Sequence, residues 1–387
     1  MRVLYDNQAY DLQTHGGVSH CMVELYKNLP TDVHAKLGVY ESDNVYLQEL
    51  GYKGMGITYR QFLCGATFKG KRRIFTPYFK MRNGFDYWGD RNQNYSIKLL
   101  KEGKYDVFHP TFFDDYFLPY LNGKPFVLTI HDMIPELYPQ YFGKDDFQVQ
   151  KKQILAPLAA HIVVPSQQTK NDVVRLLDIP EEKISVIYHG GEAYQPKDWN
   201  QELSVVNFPY ILYVGSRDKY KNFEYFIQSC VPIIKSNPVL KIVCTGCAFD
   251  RQEKEMLEAN GVTDRCVNRF VRTEDEMANL YHYAKVFVFP SEYEGFGLPI
   301  LECYKADGLL LLNETSCFPE IAGDAALYFN KDEKGRQLTD MLEYAIFMSE
   351  EKRNALLRQQ RERLGLYSWE KASRQLADVY RMVVERK

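Results

Sequence analysis

Two glutamates eight residues apart, Glu294 and Glu302, bound the string EGFGLPILE directly after an apolar, β-rich run at 286–289. A strand, a glycine-bearing turn and then a helix place backbone N–H groups and the positive helix end at the carboxyl edge of a sheet, where an anion is held. Gly295 and Gly297 are expected to let a ligand approach the backbone closely. Pro299 suits the first helical turn, where its missing N–H costs nothing. A phosphate is the expected occupant, with the N–H groups from Phe296 to Leu298 as donors. At about 1.5 Å per helical residue the two carboxylates stand roughly 12 Å apart along the axis, a span that brackets the two ends of a sugar–diphosphate–nucleoside. The same spacing also suits a helix-capping Glu294 and a solvent-facing Glu302.

A second charged set, Gly215-Ser216-Arg217-Asp218-Lys219-Tyr220-Lys221-Asn222, follows the strand signal at 210–214 and precedes a helical run. Two cations at the mouth of such a turn neutralise a departing diphosphate without a metal ion; Lys219 is expected to be solvated. Gly16-Gly17, between an opening strand and the helical run 18–29, makes a glycine turn placed to touch a donor phosphate or an acceptor. The chain has neither a dinucleotide G-x-G-x-x-G at this turn nor a Walker A string, which argues against NAD chemistry and ATP hydrolysis. His131 follows the strand signal 126–130 and is expected to project into the same cleft, with Asp132 fixing its tautomer or its loop. His109 is expected to be structural. Cys244-Thr245-Gly246-Cys247 has the layout of a thiol-redox site. No second cysteine pair or His-x-x-x-His completes four zinc ligands by spacing, so neither a redox role nor a bound metal is expected.

These residues need strand ends to stand on. Short β-rich runs at 2–5, 36–40, 107–109, 126–130, 161–164 and 184–187 alternate with helical patterns, and the rhythm resumes at 210–214, 241–244, 286–289, 309–312 and 326–329. Such alternation is expected of parallel sheets covered by helices. Residues 190–200, GGEAYQPKDWN, carry neither periodicity and are expected to be a domain linker. After Tyr367, Trp369, Ala372, Leu376, Val379 and Val383 recur at spacings of three and four, giving a helix with one apolar face that must dock on something.

The length of 387 residues suits two or three domains. Lys+Arg 48 against Asp+Glu 51 gives a formal charge of −3, so no overall bias toward nucleic acid exists. The opening residues lack a signal-peptide core, no run is apolar enough to span a bilayer, and eight scattered cysteines suit a reduced compartment, so a cytoplasmic location is expected. Residues 68–104 depart from neutrality, with ten Lys/Arg, three Asp/Glu and eight aromatic residues. This segment is either a solvated helical insert or a peripheral contact with an anionic membrane face or a phosphorylated, partly apolar acceptor.

With EGFGLPILE come, in order along nearly the whole chain, Gly16-Gly17, HDMIPELYP from His131, VPSQQTKNDVV from Val164, ISVIYHGG from Ile184, YVGSRDKYKN from Tyr213 and FPEIAGDAALYF from Phe318. This series resembles the family 4 retaining glycosyltransferases. The resemblance implies the α/β GT-B fold: two Rossmann-like domains facing across a cleft, residues 1–190 binding the acceptor and 191–366 the nucleotide sugar, with the C-terminal helix 367–387 crossing back to the first. It implies transfer of a sugar from a nucleoside diphosphate sugar to a hydroxyl of a saccharide or lipid-linked saccharide, in bacterial surface polysaccharide or lipopolysaccharide synthesis, with no cofactor. Arg217 and Lys221 would bind the diphosphate, although many family members carry Arg directly before the Lys, where this chain has Tyr220. Glu294 would orient the donor sugar, Glu302 the ribose, and His131 would lie beside the transferred sugar. Gly16, Gly17, Gly215, Gly295, Phe296, Gly297 and Leu298 would line the nucleotide-sugar site. A nucleotide-sugar epimerase of the same fold, or a non-catalytic nucleotide-sugar-binding subunit, are the alternative readings.

Overall fold

The computed structural model describes residues 1–52, 62–63, 68–143, 145–191, 194–195, 197, 199 and 204–386. Part of the expected linker at 190–200 therefore lies outside the described residues. In the second half, β7 (Tyr210–Tyr213), β8 (Lys241–Thr245), β9 (Cys266–Arg269), β10 (Val286–Phe289), β11 (Leu310–Asn313) and β12 (Leu327–Phe329) form one sheet in the order β12-β11-β10-β7-β8-β9. Every pairing in it is parallel. The order reverses between β7 and β10, and the crevice outside the carboxyl ends of those two strands is where doubly wound sheets bind ligands.

The central strands read YILY, VFVF and LLLN and are buried throughout, because helices cover both faces and leave no position for a polar alternation. The edge strand β9 is not among the runs expected from the sequence. Its residues, Cys-Val-Asn-Arg, are all half-buried, and a strand covered this lightly carries too few apolar residues to announce itself.

In the first half, β1 (Arg2–Tyr5), β2 (His34–Leu37) and β3 (Val107–His109) pair in the order β2-β1-β3. A second parallel trio, β4 (Val127–Thr129), β5 (His161–Val164) and β6 (Ile184–Val186), continues it through a bridge between Phe108 and Phe126. β2 lies two to three residues before the run expected at 36–40. Register with β1 decides this: Tyr5 pairs with Leu37, and Gly38 N–H then donates to the Tyr5 carbonyl at 2.7 Å.

The C-terminal helix Trp369–Glu385, capped by Ser368, crosses back and packs on the first half. Trp369, Ala372, Leu376, Val379, Tyr380 and Val383 share a core with Val3, Tyr5 and Met22. The Tyr380 hydroxyl lies 2.5 Å from that of Tyr5 and 2.6 Å from Nδ1 of His109, whose Nε2 meets Thr129 Oγ1 at 2.9 Å. His109 is thus a satisfied core residue. Its burial among apolar neighbours lowers its pKa to about 3 and keeps it neutral.

The basic, aromatic segment forms the helices Lys71–Asn83 and Arg91–Glu102. Phe75, Phe79, Phe85, Tyr87 and Tyr95 turn inward and meet largely edge to face, so much of its aromatic content is core. Arg72, Arg73, Lys80 and Arg82 face outward, together with Ile74 and Met81. Among the described residues no helix is long and apolar enough to cross a membrane.

Candidate active site

The loops after β7 and β10 meet at the point of strand-order reversal. After β7 the chain makes a one-turn helix, Lys219–Lys221, and enters the left-handed region at Asn222, φ 54°. Asparagine tolerates that conformation, and its side chain is pinned there: Nδ2 donates to the Pro290 carbonyl at 2.8 Å and Lys331 Nζ donates to Oδ1 at 2.8 Å. Lys221 is thereby aimed across the crevice, where Nζ lies 2.5 Å from Oε1 of Glu294. Both side chains are mostly buried, with 16% and 13% of their surface exposed. A charge pair so shielded from water holds both groups in one geometry, and a diphosphate entering the crevice would compete with Glu294 for the ammonium.

The Glu294 peptide is itself held. Ser316 Oγ donates to its carbonyl at 2.8 Å, Glu294 N–H donates back to Ser316 Oγ at 3.2 Å, and Cys317 Sγ lies 3.1 Å from the same carbonyl. Gly297 precedes the helix Leu298–Lys305 at φ 85°, a backbone conformation that favours glycine, and Pro299 follows in the first turn. Pro299 has no N–H and Ile300 N–H donates to the Gly297 carbonyl at 2.9 Å, so the helix start offers the Leu298 N–H and its positive end at the carboxyl end of β10.

Gly295 serves a different purpose from the one expected. A Cβ there would fall 1.8 Å from the carbonyl oxygen of His131, so its bare backbone admits the other half of the protein rather than a ligand. Phe296 is buried, its ring 4.9 Å from His189 and 5.8 Å from Tyr367. Leu298 reaches the first half directly: its Cδ1 would stand 3.9 Å from a Cβ placed on Gly17. Gly16 is extended and lies against the Gln13 side chain, whose Oε1 accepts from Ser19 N–H at 3.0 Å at the start of the helix Gly17–Lys27. Gly215, at φ 115°, has open space around its missing side chain and keeps its backbone accessible.

Arg217, expected at the diphosphate, is engaged within its own half of the protein. Its Nε lies 2.5 Å from Glu253, and its terminal nitrogens donate to the carbonyls of Thr245, Cys247 and Ala248 at 3.4, 2.6 and 3.1 Å. The guanidinium also lies over Phe249, 5.0 Å from the ring centre, and only 7% of the side chain is exposed. Most of its donors go to the turn after β8, which they clamp, and not to the open crevice. That turn holds the C-x-x-C, whose Cys244 and Cys247 are both free thiols.

Glu302 stands on the second turn of its helix and accepts from the Tyr281 hydroxyl at 2.9 Å. Its side chain is exposed to water, although protein surrounds it closely. That crowding raises its pKa, with the Tyr281 hydrogen bond opposing and nearby Glu274 adding to the rise. His131 approaches from the first half. Burial lowers its pKa to about 4, aided by Lys152 and opposed by Asp132, so the imidazole is neutral near pH 7. Asp132 acts on the loop, Oδ1 accepting from Ile134 N–H at 3.0 Å.

Several residues at this site carried no sequence signal. The fully buried Lys152 donates to the Asp132 carbonyl and to Glu136, both at 3.0 Å, and so holds the loop that bears His131. Tyr293 donates to Asp172 at 2.7 Å across the cleft, and Glu320 accepts from Gln167 and Gln168 N–H at 2.7 and 3.2 Å, at the start of the helix Gln167–Leu177. A cavity of about 400 Å³ beyond β9 is lined by Val267, Asn268, Arg269, Phe270, Arg272 and Glu276. Only separations of more than a hundred residues in sequence bring the cross-cleft partners together, and no local pattern encodes them.

Residues 195–363 match the family of glycosyl transferases group 1, and residues 16–191 match glycosyltransferase family 4. The chain is 26% identical over 217 residues to the O-antigen chain mannosyltransferase RfbU of Salmonella typhimurium, covering 56% of this chain and 59% of that one. It is 25% identical over 240 residues to the O-antigen chain mannosyltransferase B of Escherichia coli, covering 59% and 62%. The match thus spans less than two thirds of the length of these relatives. Among solved structures, Anabaena HepE in complex with UDP and glucose superposes with a TM-score of 0.72 at 14% identity, covering 98% of this chain and 99% of that one. A sucrose-phosphate synthase from Thermosynechococcus elongatus gives 0.72 at 17% identity, covering 100% and 99%. Similarity at this level of identity speaks to fold, and the fold agrees with the strand order described above. Two adjoining family matches over most of its length, on two Rossmann-like sheets facing across a cleft, make this chain a member of the group 1, family 4 glycosyltransferases with the GT-B fold.

Proposed function

We propose that this protein transfers a sugar, with retention of configuration, from a nucleoside diphosphate sugar to a hydroxyl of a saccharide or lipid-linked saccharide in the synthesis of a bacterial surface polysaccharide. The observation that carries this reading is the Lys221–Glu294 pair at the β7/β10 reversal, beside a helix N-terminus and facing His131 of the opposite half. Lys221 and the helix end neutralise the diphosphate as the anomeric bond breaks. Glu294, released from Lys221 by the incoming phosphate, turns to the hydroxyls of the donor sugar. Glu302 takes the ribose, and the cavity beyond β9 takes the base. His131, neutral, contacts the transferred sugar. The acceptor hydroxyl attacks from the face the diphosphate leaves, and a departing phosphate oxygen takes its proton. Charge neutralisation by these groups needs no metal ion, and added chelator is expected not to lower the rate.

The relatives named above as mannosyltransferases favour mannose as the cargo. The exposed face of the helix Lys71–Asn83, where four cations alternate with Ile74 and Met81, supports peripheral contact with an anionic membrane bearing the acceptor. Thermal unfolding in the presence of GDP, UDP and their sugars, followed by transfer assays with the stabilising donor, tests the reading, because a ligand bound to the folded state raises the unfolding temperature. A selective rise with donor-dependent transfer is expected. No stabilisation by any nucleoside diphosphate sugar would overturn it.

A further inference from the structure

Three side chains that no spacing pattern connects meet behind the cleft: Cys21 on the helix Gly17–Lys27, His131 after β4, and His189 after β6. Their ligand atoms all lie within 4.8 Å of one another, and Cys21 Sγ is 3.3 Å from His189 Nδ1. We propose that Cys21, His131 and His189 bind Zn²⁺ or a similar borderline-soft divalent ion, and that its binding switches the enzyme off.

Zinc bonds of about 2.3 Å to sulfur and 2.0 Å to nitrogen, set tetrahedrally, place neighbouring ligand atoms about 3.5 Å apart. The Cys21–His189 contact already has that spacing, and a small swing of the His131 ring closes the third side. His131 Nε2 is buried without a hydrogen-bond partner among the described residues, a state that costs free energy and that a metal bond relieves. The walls are dry: His189 packs against Trp369, ring centres 5.8 Å apart, and against Phe296 at 4.9 Å. Only the half-buried His131 opens toward the cleft, giving the ion its path and leaving a fourth position for water.

One thiolate and two imidazoles select zinc or cobalt over magnesium and calcium. Binding is a simple exchange: the Cys21 thiol gives its proton to solvent, the sulfur and two ring nitrogens each donate an electron pair to the ion, and nothing is oxidised or reduced. A metal here takes His131 away from the transferred sugar. That consequence rests on the proposed function, whereas the binding itself does not.

Cobalt(II) titration of the full, reduced chain tests the binding. One equivalent is expected to produce a thiolate-to-cobalt charge-transfer band and the strong visible absorption of a four-coordinate ion, both bleached by Zn²⁺. Cys21→Ser loses the band, and Cys247→Ser, at an exposed thiol, keeps it. Zn²⁺ lowers the transfer rate at least about tenfold, chelator restores it, and Cys21→Ser raises the Zn²⁺ needed by about tenfold or more while its zinc-free rate is unchanged. No band in the natural chain, or a band surviving in Cys21→Ser, overturns the site. A lost band with unchanged zinc inhibition overturns the switch alone. Should Cys21→Ser and Cys21→Ala both unfold, zinc X-ray absorption of the natural chain decides: one sulfur near about 2.3 Å supports the site, and a shell of nitrogen and oxygen alone sinks it.

Discussion

The His131 carbonyl oxygen occupies the space that a side chain on Gly295 would need, 1.8 Å from where its Cβ would stand. The two halves of the protein therefore touch backbone to backbone beside the proposed donor site, one residue from Glu294. Gly295→Ala is expected to hold the halves apart by an ångström or so and to cut transfer by about a hundredfold, since misplacement on that scale costs as much. Each half should retain its secondary structure. Transfer kinetics beside circular dichroism check this; normal turnover in the variant would mean that the observed approach is not needed for activity.

Lys221→Ala removes the cation proposed to meet the diphosphate. Loss of one such contact costs about a hundredfold to a thousandfold in turnover. Stability should fall less, because the space left by the lysine side chain lets water reach the Glu294 carboxylate, which is mostly buried while the pair is intact. The measurement is kcat set against the urea midpoint, and a variant that turns over at the natural rate would remove Lys221 from the reaction.

Arg217→Ala should show the opposite balance. The guanidinium clamps the turn at 245–248 and pairs with Glu253, so the expected loss is about 2–4 kcal/mol of stability. Arg217→Lys, which cannot reproduce the forked contacts, should recover little of it. Chemical denaturation gives the stability and saturating-donor kinetics give kcat; an intact fold with collapsed kcat would place Arg217 at the diphosphate.

The Tyr293–Asp172 hydrogen bond ties the loop that bears Glu294 to the helix Gln167–Leu177 of the other half. Tyr293→Phe deletes the donor and keeps the ring. A loss of about 1 kcal/mol from the closed arrangement is expected, read as a several-fold rise in donor KM with little change in kcat. Small-angle scattering should show a more open particle without donor.

Lys152 is buried with Glu136 and supports the loop of His131 from below. Lys152→Met should leave the Glu136 carboxylate buried without its partner and destabilise the chain by about 3–5 kcal/mol, whereas a Lys152→Met/Glu136→Leu pair should recover much of that. Thermal unfolding of the three proteins measures it. Equal melting of the single and double variants would argue that the pair contributes no coupling.

Local chemistry makes much of this protein legible in its amino-acid sequence. Apolar runs such as VFVF and LLLN identify buried parallel strands because no alternation survives when both faces are covered. The Gly297-Leu298-Pro299 start of a helix reads directly from backbone preferences. Spacings of three and four after Trp369 disclose an apolar helix face, and the need for a partner with it. The order of residues also puts Lys221, Glu294, Glu302 and His131 at strand ends or helix starts. Tertiary structure alone decides what each side chain does there. Arg217 stands in a loop that looks phosphate-binding, yet its donors go to carbonyls some thirty residues away. Gly295 looks like room for a ligand and is room for another backbone. Cys21, His131 and His189 converge from three segments with no common spacing. Periodicity records which way a residue faces within its own element; only the packing of one element on another determines what it meets.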